Sequence, residues 1–207
     1  MADRLDLVTI ANRALARLGA GMLSSLDEET DLARSVSSVL ADTIDMLVAR
    51  HQWNFARRTV RLDEAGPAED RLGWRHAYQL PERLHACIKV LRDPRAPDHP
   101  ERRFAIEGRM LYCDASPVWA TFIVATDPEL WPPAFRTAVI VAVAAALAVP
   151  VTGDIRLHQH LHEEAFGAPQ MMGRGGLFAE AIAQEVASNV NRAPLWMDDP
   201  LTEARWG

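Results

Sequence analysis

The densest set of metal-capable side chains in this chain is HQHLHEE, residues 158–164. On a helix His158 and His162 fall one turn apart on one face, the spacing that two zinc ligands use, and a third ligand would complete such a site. His160 points elsewhere and the HExxH pattern is absent. A polar helix face at a subunit or solvent boundary is the expectation, with no metal. Glu163 and Glu164 are adjacent and diverge around a helix, unlike the facing carboxylates of a glycoside hydrolase. Cys87 and Cys113 have no metal-ligand spacing and lie in strand-like stretches, so they are expected to be reduced packing residues, in keeping with synthesis inside a cell. There is no GxSxG, no P-loop and no recognisable Cys–His arrangement. No catalytic residue and no cofactor are expected, and the protein is not expected to be an enzyme.

A second stretch could act on nucleic acid. QWNFARRTVRL, residues 52–62, places Trp53 and Phe55 ahead of Arg57, Arg58 and Arg61. Aromatic faces can stack on bases while guanidinium groups contact phosphates. The same residues can also wedge a helical layer against a sheet, with the arginines covering aromatic faces or pairing with acids on a neighbouring subunit. The wedge is the expectation, because the chain of 207 residues carries a formal charge of −6 and bulk electrostatics does not favour a nucleic-acid binder. The charge is uneven. Residues 57–109 hold twelve Arg and Lys against nine Asp and Glu, so the remainder of the chain is at −9. Lys89 is the single lysine.

The elements that must position these residues follow from periodicity. Residues 4–18 repeat apolar side chains with helical period at Leu7, Ala11, Ala14, Leu15 and Leu18, and Gly19 and Gly21 supply stop signals. A second helix runs to about Arg50 on Val36, Leu40, Ile44 and Leu47, capped from Ser25 with Glu28 or from Thr30. The two are expected to form an antiparallel hairpin over residues 1–56. RTVRLDEA then alternates, with Val60 and Leu62 on one side. HACIKVLRD, RFAIEGRMLYCD with a turn at Glu107-Gly108, and VWATFIVAT continue the strand rhythm, so residues 57–126 are expected to be an inserted antiparallel β domain. Helix returns over 127–190. Its first long segment is 134–149, and the apolar run TAVIVAVAAALAVPV, residues 137–151, is fifteen residues, short of the ~20 a membrane span needs. It is expected to be a buried helix with small residues at Ala142, Ala144, Ala145, Ala146 and Ala148, and no membrane association is expected. Thr152 or Asp154 starts a further helix, and LFAEAIAQEVASNV forms the last. The fold class is therefore α+β: a bundle of four to five helices, an inserted β domain, and an extended tail at 191–207.

The chain resembles the tail tubular protein A family, the head-to-tail adaptors of short-tailed phages. ANRALARLGA, SSLDEETDLA and the helix ending in HQWNFARR resemble its N-terminal half. WRHAYQLP resembles its Tyr-x-Leu-Pro turn, Gly108 to Tyr112 its Gly-x-x-Leu-Tyr strand, LWPPAFRTAVIVAVAAALAVPVTGD its apolar helix, and LTEARWG its arginine-containing tail. GAPQMMGRGG departs from the pattern by interrupting a helical stretch. The resemblance implies a ring, of about twelve copies in this family, closed by heterologous contacts. It also implies a portal protein above the ring, a further tail or stopper protein below, and double-stranded DNA passing through without specific binding. The place of action would be the head–tail interface of the virion, after synthesis in the host cytoplasm.

The tail is the strongest partner-binding candidate. Leu195, Trp196, Met197, Leu201 and Trp206 are large apolar residues in a proline-broken segment, and Arg205 can add a charge pair. They are expected to dock on a neighbour or on the portal, with folding back on the same subunit as the alternative. A tail-associated wall hydrolase and a small DNA-binding regulator are the rival functions.

Overall fold

The computed structural model describes residues 6–68, 73–82, 84–171 and 175–188. Helix α1, Leu7–Arg17, starts at Asp6, whose carboxylate accepts the Thr9 N–H at 2.8 Å. Helix α2, Asp31–Ala49, is capped by Thr30, which accepts the Ala33 N–H. Glu28 turns the other way and accepts the N–H groups of Ser24 and Ser25, so it orders the loop and Thr30 wins as cap. Helix α3, Pro133–Thr152, runs one turn past the expected stop. Pro150 lies in its last turn, where only one ladder bond is lost, and Gly153 closes the helix in the left-handed region at φ 70°. Asp154 caps α4, Ile155–Phe166, accepting from Arg156 and Leu157. Helix α5, Gly176–Ser188, completes the set.

The bundle is organised around α3. Helices α1, α2, α4 and α5 all pack on it, and Val139, Val141, Val143, Ala144, Leu147 and Ala148 are buried. An apolar helix of 20 residues meets the length and composition of a membrane span; here four helices cover it instead. Helices α1 and α2 both pack on α3, which offers apolar surface all round, and their buried residues belong to one core. The Asn12 amide clamps the connection 18–30 through both backbone groups of Leu23, at 2.7 and 2.8 Å.

The residues between α2 and α3 form two four-stranded antiparallel sheets. The first has the order β1-β8-β4-β5, from Arg57–Arg61, Trp119–Val124, Leu84–Leu91 and Pro100–Glu101. The second has the order β2-β3-β7-β6, from Glu64–Pro67, His76–Gln79, Met110–Cys113 and Phe104–Glu107. RTVRLDEA is thus not one strand: its halves belong to different sheets. Leu62 is buried at the crossing, its N–H donated to the Val118 carbonyl, while Val60 is exposed. The segment likened to a turn, WRHAYQLP, contributes strand β3, and the Tyr78 hydroxyl donates to the Ala115 carbonyl at 2.7 Å. Gly108, at φ 57°, turns β6 into β7 where a hairpin is expected. Strand β8 alternates between two cores. Ala120 and Phe122 pack between the sheets with Leu62, Tyr78, Leu111 and Val118; Ile123 packs into the bundle.

Candidate functional site at the helix–sheet junction

The chain leaves α2 at Arg50 and enters β1 at Arg57. Between them Trp53 is fully buried and Phe55 half-buried. The Trp53 indole N–H donates to the Leu47 carbonyl at 3.2 Å, which ties the ring back to the last turn of α2. Its ring centroid lies 4.6 Å from Phe135 of α3, 5.7 Å from Phe55 and 5.7 Å from Phe178 of α5. Phe55 is 4.9 Å from Phe135, and Trp131 meets Phe135 edge-on at 5.4 Å. The mixture of tilted and edge-to-face pairs is what aromatic quadrupoles favour. Trp53 has no face left for a base, so stacking on nucleic acid is closed to it.

The arginines do different work from one another. The Arg58 guanidinium donates to the Arg57 carbonyl at 2.8 Å and, at 3.4 Å, to that of Phe55. Arg61 lies 6.0 Å over the Trp119 ring. Arg57 is half-buried, and its Nε–H has no hydrogen-bond partner among the described residues. Arg50, which the sequence pattern does not single out, covers the rings of Phe166 and Phe178 at 5.1 and 5.9 Å.

Glu185 of α5 completes the junction. It is 8% exposed, and its Oε1 accepts the Asn54 N–H at 2.5 Å. A signal for it exists in the sequence: Glu185 falls on the same helix face as Phe178 and Ala181, an apolar stripe on which a carboxylate needs a partner. Burial holds the His51 imidazole below its ordinary pKa; Glu185 opposes that shift and Arg57 adds to it. A cavity of about 490 Å³ opens here, lined by Arg50, His51, Arg57, Ile123, Glu185 and Val186 among others.

Other candidates sit apart from this junction. The His158 Nδ1–H donates to the Ala145 carbonyl at 2.7 Å, so one nitrogen of the His158 and His162 pair is committed to α3. Their rings are 5.8 Å apart, and Glu164 pairs with Arg17 of α1 at 2.8 Å. Among the described residues no three His, Cys, Asp or Glu side chains converge as metal ligands. Cys87 is half-buried and Cys113 buried, both as free thiols; burial pushes Cys87 up to about 11 and raises Cys113 as well. A larger cleft of about 1010 Å³ lies between α1, α2 and the start of β4, where His85 Nε2 stands 3.6 Å from the Asp45 carboxylate. Leu195, Trp196, Met197, Leu201, Arg205 and Trp206 lie outside the described residues.

No protein-family model matches this sequence, and a search of curated proteins finds no match.

Proposed function

We propose that this protein is a structural head-to-tail adaptor of a tailed bacteriophage or phage-like particle. Copies of it form a ring under the portal, extend the DNA channel and dock the next tail component. Two lines support this. One is the collinear run of motifs that resemble the tail tubular protein A family, from ANRALARLGA to LTEARWG. The other, which carries the proposal, is the way the β unit is mounted. It leaves the bundle after α2 and returns before α3, and both crossings are bolted to one aromatic cluster, Trp53 and Phe55 on the outgoing side and Trp131 and Phe135 on the returning side. A ring subunit that is held on one side and loaded on the other needs such a rigid joint. The net charge of −6 suits a conduit, since phosphate contacts would slow DNA transit and make it salt-dependent.

The test is genetic. Particles made without this protein are expected to be DNA-filled heads that lack tails, and purified protein is expected to restore tail attachment. Infectious tailed particles made in its absence would overturn the proposal.

A further inference from the structure

The cavity at the helix–sheet junction has two guanidinium groups, from Arg50 and Arg57, and an apolar wall that includes Ala86, Ile123 and Val186. Its carboxylate, Glu185, already accepts the Asn54 N–H. A carboxylate suits a guanidinium best. Val186 is 46% exposed at the rim. The cavity therefore fits a large apolar side chain followed closely by acid.

The chain itself supplies that sequence. The described part of helix α5 reaches Ser188, two residues beyond Val186, and residues 189–207 follow. They contain Leu195-Trp196-Met197-Asp198-Asp199, an apolar anchor and then two carboxylates. Asn189, Asn191 and Pro194, residue types that favour turns, stand between Ser188 and the anchor. We propose that residues 195–199 dock in the cavity of their own chain, with Trp196 on the apolar wall and Asp198 and Asp199 on Arg50 and Arg57. Closing so short a loop costs little, and the segment's tether keeps its effective concentration high. The docking stands independently of the adaptor proposal. Its consequence rests on that proposal: a portal would have to displace the segment, so copies would stay apart until a portal is met.

The experiment is NMR of the full-length protein labelled with ¹⁵N at tryptophan, in which Trp196→Phe identifies one of six indole signals. The Trp196 signal is expected to differ from that of a synthetic peptide of residues 189–207 and to be unchanged by dilution. Asp198→Arg with Asp199→Arg should move it onto the peptide position, as should Arg50→Asp with Arg57→Asp. The protein carrying all four changes should bring it back. The tail-side pair alters none of the described residues, so it decides the matter even if the arginine pair fails to fold. A wild-type signal at the peptide position, a signal that shifts on dilution, or one that ignores the tail-side charge reversal would each overturn the proposal. Adding portal then tests the adaptor proposal separately.

Discussion

The Trp53 ring lies 4.6 Å from that of Phe135, with the planes at 59°, and this contact joins the end of α2 to the start of α3 across the β unit inserted between them. Neither residue can shift without moving one of the two crossings. Trp53→Ala should destabilise the protein by about 3–5 kcal/mol, since it empties a fully buried aromatic site. Trp53→Phe should cost less, because it keeps the ring contacts and loses the bond to Leu47. Urea unfolding of the two variants checks the order.

The glycines after α4 set where α5 lies. Gly176 is at φ 63°, and a Cβ there would stand 2.5 Å from the Glu164 carbonyl oxygen and 2.7 Å from the Gly167 nitrogen. Gly176→Ala should cost more than the ~1–3 kcal/mol of a strained backbone alone, because those neighbours are main chain. Gly19→Ala, at φ 67° with nothing within 4 Å, should cost the conformational part only, ~1–2 kcal/mol. Comparing the two melting curves separates packing from backbone strain.

Both thiols should be slow to alkylate in the native protein at mildly alkaline pH. Cys87 is held near 11 by burial, and the buried Cys113 is raised as well, so little thiolate forms. Iodoacetamide labelling followed by mass measurement should show neither modified, and both modified in urea.

Acid should weaken the junction through His51. Its folded pKa lies below its ordinary 6.5 because burial disfavours the charged ring. The unfolded chain therefore binds the proton more readily. This contribution to stability is complete above about pH 6.5, and falls as the pH drops from there to the folded pKa. Urea midpoints measured across that window should fall with acidity, and His51→Gln should flatten the slope.

Much of the layout is legible in the sequence because it rests on period. The stripes of α1 and α2, the Thr30 and Asp154 caps and the turn at Gly108 all follow from local chemistry, and so does the α+β class. What local pattern does not carry is partner choice. Nothing in RTVRLDEA says that its halves join different sheets, since strand pairing is decided by β3 and β8 far along the chain. That α1 and α2 both pack on α3, more than eighty residues later, is hidden for the same reason. At the junction, Trp53 and Phe55 are legible as a wedge from their place between helix and strand. Glu185 and Arg50 complete the site from elements whose neighbours only the tertiary fold assigns.

The adaptor proposal is tested most directly by weighing complexes of this protein with its cognate portal by mass photometry, both at full length and cut after Val190. The full-length protein should form a large complex of fixed stoichiometry with the portal, and the shortened one should not. Full-length protein that stays at its own mass of 23.0 kDa, or its small oligomers, with portal present would contradict the proposal.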